Sequence, residues 1–317
     1  MNVEFTFVPG IDARSFAANN QGSPVGRNES LPASLALAES LGFSGFVIGG
    51  ETGDIAEGAS DDAMPFGEQL NVLLTHRVSR LSPILAARQL GALQARLGGR
   101  LGLRLLPDFS GEATGEDRPR SGHAASWRQA DEYVTLLKRL WANERPFDHE
   151  GLFYSLRGAF VPNRASHALP VRMKALSGTA LKVAARHADT IELAGGSPQD
   201  VRVLVARARA TAAEFGRQHK MQFALPLQLP QRLAEGAKAG DAVSLSDFSA
   251  QTSLLLMDYV QSGVTEFMVY GTDDRVALHA FSDRVLPVVR NSAARLEDSS
   301  WPSTGARASD TRRLSYF

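Results

Sequence analysis

The 317-residue sequence contains no cysteine. Disulfide bonds, thiolate metal sites and cysteine nucleophiles are therefore excluded by composition. Basic and acidic side chains are equally numerous, at 34 each, so the chain lacks the surplus of lysine and arginine on which binding to nucleic-acid phosphates depends. The partner that this composition favours is a small molecule.

Long hydrophobic runs are also missing. The longest apolar runs, such as residues 254–257, are far shorter than the ~18 residues that a membrane-spanning helix needs. The N-terminal segment carries an acidic side chain at Glu4 and has no apolar run of signal-peptide length. We therefore expect a cytoplasmic protein that binds neither membrane nor nucleic acid.

The sequence does contain a regular alternation of strand and helix patterns. Strands are predicted at residues 3–8, 45–48, 70–74, 100–106, 171–176, 190–193, 222–229 and 266–270, and helices at residues 30–41, 83–97, 124–143, 179–187, 199–215, 246–261 and 275–289. Eight strands alternating with helices, without a break in composition, predict a single α/β domain folded as a (β/α)8 TIM barrel. An open doubly wound sheet is the competing arrangement. Residues 146–168 are predicted to form a hairpin.

The end of the chain has a different character. Residues 291–317 are polar, rich in serine and arginine, and without hydrophobic periodicity. We therefore predict a barrel domain over residues 1–290, followed by a tail that is either disordered or an interaction arm.

Functional groups of a TIM barrel lie at the carboxyl ends of its strands. One such place is the turn formed by Ser177, Gly178 and Thr179, where two hydroxyls flank a glycine between a strand and a helix. The backbone N–H groups of a helix start attract phosphate. The same residues also occur where a serine or threonine simply caps the helix, without any ligand. Arg172 and Lys174 lie close by, and strand alternation is a reason to expect them to face away.

Other known catalytic motifs are absent from the sequence. No HxxxH or HExxH pair is present, and no GxSxG elbow occurs, so neither a metal site nor a serine hydrolase is expected. His76 and Arg77 stand at a predicted strand end, and His123 precedes a predicted helix. His76 and Arg77 are therefore positions to inspect at the barrel mouth, and His123 either caps the helix or faces a pocket.

Several segments together carry a more specific signal. They are AESLGFSGFVI at residues 38–48, SPxxxAR followed by GGRL within residues 77–101, GHAASWRQADEY at residues 122–133 and KALSGTALKVAARHADTIELAGGSP at residues 174–198. In order and spacing they resemble the luciferase-like flavin monooxygenases, most closely the alkanesulfonate monooxygenase branch. The resemblance covers about residues 3–290.

The resemblance implies both a fold and a chemistry. The fold is a (β/α)8 barrel with insertions, and the chemistry is oxygenation of a small organic substrate by dioxygen and reduced FMN that a separate flavin reductase supplies. Barrels of this family pair, which implies a dimer or other homo-oligomer. Ser177, Gly178 and Thr179 match the family's phosphate-binding turn, and His123 matches a histidine of its flavin site.

The sequence also departs from the family pattern at several positions. The family's arginine and histidine on the seventh strand fall on Pro226 and Gln228, and its cysteine after the second strand falls near Asp54. Arg77 is retained as a cation, so Arg77, Gln228 and Asp54 are the catalytic candidates. The departures imply a substrate other than a simple alkanesulfonate. The alternative is a catalytically degenerate barrel that acts as a flavin-binding or partner subunit.

Overall fold

The computed structural model describes residues 2–9, 31–49, 69–108, 120–162, 169–176, 178–230, 242–270 and 275–299, with backbone alone at residues 120–123 and 297–299. Asp54 and Ser177 therefore lie outside the described residues, as does the side chain of His123.

Strands and helices alternate along the described chain. The strands are β1 (Glu4–Val8), β2 (Gly45–Ile48), β3 (Asn71–Arg77), β4 (Leu101–Leu106), β5 (Phe147–Glu150), β6 (Ser155–Ala159), β7 (Val171–Met173), β8 (Thr190–Glu192), β9 (Gln222–Gln228), β10 (Val243–Ser244) and β11 (Glu266–Tyr270). The helices are α1 (Leu31–Ser40), α2 (Pro83–Arg96), α3 (Arg120–Ala142), α4 (Gly178–His187), α5 (Pro198–Ala213), α6 (Ala250–Gln261), α7 (Arg275–Arg284) and α8 (Leu286–Ser299). All eight predicted barrel strands are present, and β5 and β6 form the predicted hairpin.

Eight of the strands close into a parallel barrel. Their order is β9, β11, β1, β2, β3, β4, β7 and β8, and β8 pairs with β9 again to close the ring. The prediction of a TIM barrel is thereby confirmed, and the open doubly wound sheet is excluded. Because all eight strands are parallel, their carboxyl ends meet at one mouth.

The outer face of the barrel wall is aromatic and aliphatic. Phe5 and Phe7 of β1 point outward, and the ring of Phe5 lies 5.5 Å from that of Phe267 on β11 and 5.8 Å from that of Phe281 on α7. All of these rings are buried. Strand alternation puts every second side chain into this layer between wall and helices, which explains the regular hydrophobic spacing of the sequence.

Local signals set several helix boundaries. α2 starts at Pro83 after Ser82, as predicted, and α5 starts after Ser197, whose hydroxyl and the carboxylate of Asp200 form a capping box. The predicted helix at residues 246–261 begins later, at Ala250. The reason is that the Asp247 carboxylate accepts hydrogen bonds from the Ser249 amide and the Thr252 hydroxyl before the helix begins.

The C-terminal region is more helical than predicted. The predicted helix at 275–289 is interrupted at Val285, because Pro287 has no N–H to continue the hydrogen-bond ladder and instead sits in the first turn of α8. α8 then continues to residue 299, so the expected lack of regular structure from residue 291 onward is wrong for residues 291–299. Residues 300–317 lie outside the described part of the chain. None of the helices formed by the described residues has the length and apolarity needed to cross a bilayer.

Candidate functional site

The floor of the barrel mouth is apolar. Val8, Val47, Leu73, Ala224 and Met268 are buried on the inner face of five strands and pack into one cluster. Tyr270, half-buried at the end of β11, packs against that cluster. A planar aromatic ligand would therefore meet an apolar surface at the bottom of the mouth.

Two of the predicted catalytic residues face the mouth from opposite sides. Arg77 ends β3 and Gln228 ends β9, and three strands separate them in either direction around the barrel. The guanidinium Nη1 of Arg77 donates to the carbonyl oxygen of Pro107 at 3.4 Å, which ties it to the end of β4. Gln228 lies beside Tyr270 in the register of β9 and β11. The structure thus places both side chains at the rim without bringing them into contact.

The predicted phosphate turn lies at the same end of the barrel. Gly178 opens α4, the helix that follows β7 along the chain, with a φ of +57° that favours glycine. A Cβ atom added there would meet no heavy atom of the described residues within 4 Å, so no described residue covers this side of the helix start. Thr179 follows it and is half-buried. The predicted roles of Ser177 and His123 remain predictions.

Beside the apolar cluster, on the strands β4, β7, β8 and β11, the barrel interior contains two buried ion pairs. Arg104 of β4 binds the Glu192 carboxylate of β8 through two hydrogen bonds of 2.6 and 2.9 Å. Arg172 of β7 donates from Nη2 to Glu266 of β11, which also accepts a 2.5 Å hydrogen bond from Thr6. All four charged side chains are at most 6% exposed.

These ion pairs correct the expected direction of Arg172, and they include three charged residues that the sequence analysis did not identify. The expectation that Arg172 turns away from the site is wrong, because residues 171 and 173 take the outer face and leave Arg172 on the inner one. Arg104, Glu192 and Glu266 were not recognised as interior charges. The alternation in LGLRLL and TIEL, where single polar residues interrupt apolar ones, was the available signal.

The charges inside the barrel act on one another. Burial alone would raise the pKa of Glu192, but the contact with Arg104 and the nearby charges of Arg172 and Lys174 hold it below its ordinary value. Burial raises the pKa of Glu4 at the amino end of β1, and repulsion by Glu266 adds to that rise. The cations around Glu192 therefore stabilise its carboxylate in the ionised form.

His76 does not belong to the mouth. It points to the outer face of β3, where its Nε2 lies 2.7 Å from the Tyr133 hydroxyl, and that hydroxyl donates to the carbonyl oxygen of Leu81. Burial lowers the pKa of His76 to about 4, so the ring is neutral at physiological pH. His76 is a packing residue between the wall and α3, and its neighbour Arg77 alone faces inward.

Two different strands, β8 and then β10, pair with the same edge of β9 to form one side of the mouth. β8 ends level with Ala224, and above it β10 pairs with Leu227 and Gln228 on the same side of β9. The chain leaves β8 through Gly195, where an added Cβ would lie 2.8 Å from the carbonyl carbon of Ala242. Glycine is needed there because the two backbones touch, so Gly195 has a packing role.

A closed parallel barrel with a mouth of this kind defines a TIM-barrel protein whose site is built by its βα loops. The chain belongs to the luciferase-like monooxygenase family, whose family model matches residues 13–242. Among the described residues, no three histidine, aspartate or glutamate side chains are grouped to hold a metal ion.

Individual relatives agree with this assignment. A sulfoquinovose monooxygenase from Agrobacterium fabrum (strain C58 / ATCC 33970) is 29% identical over 128 residues, which cover 38% of this chain and 30% of that protein. The match therefore spans less than a third of that relative's length. It supports an enzyme family without transferring a substrate.

Solved structures agree in fold. A long-chain alkane monooxygenase superposes with a TM-score of 0.70 at 12% identity, covering 92% of both chains. An F420-dependent secondary alcohol dehydrogenase in complex with an F420-acetone adduct gives a TM-score of 0.67 at 14% identity, covering 92% of this chain and all of the other. At such identities the likeness concerns the fold alone, and the two printed names differ in chemistry.

Proposed function

We propose that the protein is a monooxygenase that uses reduced FMN, delivered by a separate flavin reductase, to oxygenate a small organic substrate with dioxygen. Membership of the luciferase-like monooxygenase family supports an enzyme rather than a partner subunit. When bound, reduced FMN supplies the electrons that activate dioxygen. The remaining contributions are made by the chain's own residues.

The observation that carries this proposal is that the start of α4 and an apolar floor lie at the same end of the barrel. No described residue covers the side of the helix start at Gly178, and unpaired N–H groups of a helix start are suited to a phosphate. The apolar cluster of Val8, Val47, Leu73, Ala224 and Met268 offers the neighbouring surface for a ring system. A phosphorylated aromatic cofactor such as FMN has both of these parts.

Each predicted site residue receives a role in this proposal. Ser177, Gly178 and Thr179 bind the cofactor phosphate, with His123 as a further contact. Arg77, Gln228 and Asp54 surround the substrate, where Arg77 supplies a positive charge and Gln228 a neutral hydrogen-bonding group. The apolar floor excludes water from the reacting groups.

The first experiment is an anaerobic titration of the purified protein with oxidised FMN, reduced FMN and coenzyme F420, followed by absorbance and fluorescence. We expect micromolar or tighter binding of reduced FMN and oxygen uptake that depends on an added substrate. Tighter binding of F420 than of FMN would replace the cofactor in this proposal. Failure to bind any of them, together with a stable complex with a homologous chain, would favour the partner-subunit alternative.

The phosphate turn is tested by Ser177→Asp, because a carboxylate at the helix start repels a phosphate. We expect the affinity for FMN to fall at least tenfold, with an unchanged melting temperature. The matched control is Ser249→Asp, which makes the same substitution at the exposed N-cap of α6. Equal FMN affinity of the two variants would remove the phosphate from this turn.

The proposal also includes the oligomeric state and the cellular compartment. We propose a homodimer in the cytoplasm, and light scattering of the purified protein at several concentrations tests the oligomeric part.

A further inference from the structure

A row of uncharged side chains crosses five neighbouring strands of the barrel. In the register of the sheet, Gln228 of β9 pairs with Tyr270 of β11, and Tyr270 pairs with Val8 of β1. The pairing of β1 with β2 puts Val8 level with Val47, and Val47 pairs with Leu73 of β3. We call these five residues the neutral row.

The neutral row runs from the rim of the mouth to the apolar floor. At its upper end, Gln228 and Tyr270 are the last residues of their strands and are half-buried. At its lower end, Val47 and Leu73 are buried members of the apolar floor, and β3 continues beyond Leu73 towards the rim. A ligand that follows the row therefore has one end at the rim and its body against apolar side chains.

Gln228 contributes a side-chain amide to the upper end of the row. Its neighbours Leu227 and Leu229 pack in the outer layer, so strand alternation turns Gln228 inward. Within the part of the chain that the structure describes, its amide forms no side-chain hydrogen bond. The amide offers both N–H donors and a carbonyl acceptor, which suit a ligand group that is itself a carbonyl or an amide.

The backbone of Gln228 is held from both sides. β11 pairs with it through Tyr270, and β10 pairs with it through Ser244. The backbone amide of Leu245 also donates to the Gln228 carbonyl oxygen at 2.9 Å. The position of this residue is thus set before a ligand binds, which lowers the ordering cost of binding.

The layer beneath the upper end of the row is uncharged as well. Two residues earlier on β9, β11 and β1, the inward-facing residues are Pro226, Met268 and Thr6. The carboxylates of Glu4 and Glu266 come one layer deeper, and both are coupled to Arg172. A charged ligand group at the level of the row would lose its hydration without gaining a counter-charge from these strands, which is costly.

The cation that the rim carries lies away from the upper end of the row. Arg77 ends β3, and three strands separate it from Gln228. Its guanidinium contacts the Pro107 carbonyl oxygen at the end of β4, on the side of β3 that faces away from β2. The two sides of the mouth therefore suit different ligand groups.

We infer that the neutral row binds an uncharged part of a ligand, with a carbonyl or amide group at Gln228 and an apolar body over Val8, Val47 and Leu73. The group belongs either to the substrate or to the pyrimidine edge of the flavin ring. Only the second source rests on the proposed function. The shared chemistry is a neutral carbonyl group attached to an apolar body.

One experiment has two arms that separate the sources. In the first arm, calorimetry without cofactor compares octanamide, octanoate and octylammonium, which share an apolar body and differ in the charge of the head group. In the second arm, the dissociation constant of FMN is compared for the wild type and for Gln228→Leu. Loss of a neutral hydrogen bond weakens binding by about fivefold.

The wild type and the variants give distinct outcomes. A fivefold loss of octanamide affinity in Gln228→Leu assigns the group to the substrate, a loss of FMN affinity assigns it to the flavin ring, and losses in both arms support both contacts. For the substrate source, octanamide should bind the wild type more tightly than either charged analogue, and Gln228→Glu should shift the preference to octylammonium. Tighter binding of octanoate than of octanamide overturns that source. Unchanged affinities for octanamide and FMN in Gln228→Leu overturn the inference.

Two controls protect this interpretation. Gln261→Leu makes the same substitution at the exposed last residue of α6, and it should leave both arms unchanged. If Gln228→Leu does not fold, the wild type decides, because octanamide should raise its melting temperature more than octanoate does. Absence of FMN binding by the wild type contradicts the proposed function but leaves the octanamide arm decisive, and absence of binding in both arms overturns the inference.

Discussion

The inner and outer faces of the barrel wall differ in how their buried titratable side chains are accommodated. On the inner face, Arg104 pairs with Glu192 and Arg172 pairs with Glu266, although all four residues are almost fully buried. On the outer face, the titratable side chain of His76 is kept neutral by burial. The difference is that each of these four interior side chains contacts an opposite charge. His76 instead contacts the Tyr133 hydroxyl and, within the part of the chain that the structure describes, no carboxylate. Burial alone therefore does not decide ionisation in this protein.

The two faces also contribute differently to stability. Apolar burial on the outer face stabilises the fold in proportion to the area removed from water. Buried ion pairs give little net stability, because the desolvation of both ions offsets their attraction. We therefore expect the inner pairs to matter most when one partner is removed, and less when both are replaced.

The largest effect is expected from Arg104→Met. The substitution leaves Glu192 buried without its bidentate partner, and the free energy of unfolding should fall by about 3–5 kcal/mol. The double variant Arg104→Met/Glu192→Met should recover most of that loss. Urea denaturation measures both.

The matched control lies on the surface. Arg157 also faces two carboxylates, Asp148 at 3.6 Å and Glu150 at 3.5 Å, but its side chain is 78% exposed. Arg157→Met should change stability by less than about 1 kcal/mol. A loss as large as that of Arg104→Met would contradict the contrast between buried and exposed pairs.

A smaller, pH-dependent effect is expected from His76. Because its folded pKa of about 4 lies below its ordinary value of 6.5, the unfolded state binds more protons between these two pH values. Stability contributed by the neutral ring is thus complete above pH 6.5 and is lost as the pH falls towards 4, by about 3 kcal/mol.

The variant His76→Gln isolates this contribution, since glutamine does not titrate. Its stability relative to the wild type should rise as the pH is lowered from 6.5 to 4, in denaturation curves at several pH values. His279→Gln, at an exposed position of α7, is the control and should track the wild type. A pH-independent difference between wild type and His76→Gln would disprove the buried neutral ring.

The smallest effect is expected from Ile191→Val. Ile191 is fully buried on the outer face of β8, directly next to Glu192 on the inner face. Loss of one methylene should lower the free energy of unfolding by about 0.5–1.5 kcal/mol. A loss comparable to that of Arg104→Met would show that the two faces are equally sensitive.

Sequence reasoning predicted the barrel because eight strand patterns alternate with helix patterns along the chain. It did not predict the interior, because alternation shows which side chains share a face and not which face is inside. In Val171–Met173 all three residues are buried, so the direction of Arg172 depends on the closed ring of strands. Pairs such as Arg172 and Glu266 join strands 94 positions apart in sequence.

The positions of the rim residues at element ends were easier to predict from the sequence than the side chains of the interior. Arg77, Gln228 and Gly178 lie at strand or helix ends, where turn residues mark the position in the sequence. The pairing of β10 with β9 was not predicted, because a two-residue strand carries no periodicity.

That short strand makes the wall of the mouth depend on the segment that follows β9. Val243 and Ser244 fill the place where β8 stops, and Gly195 and Tyr259 fix their surroundings through the Ala242 backbone contact and a 2.5 Å hydrogen bond from Tyr259 to the Gly196 carbonyl. Anyone who exchanges the β9–α6 connection to alter selectivity will also exchange part of the barrel itself. Transplanted connections must therefore end in residues that pair with Leu227 and Gln228.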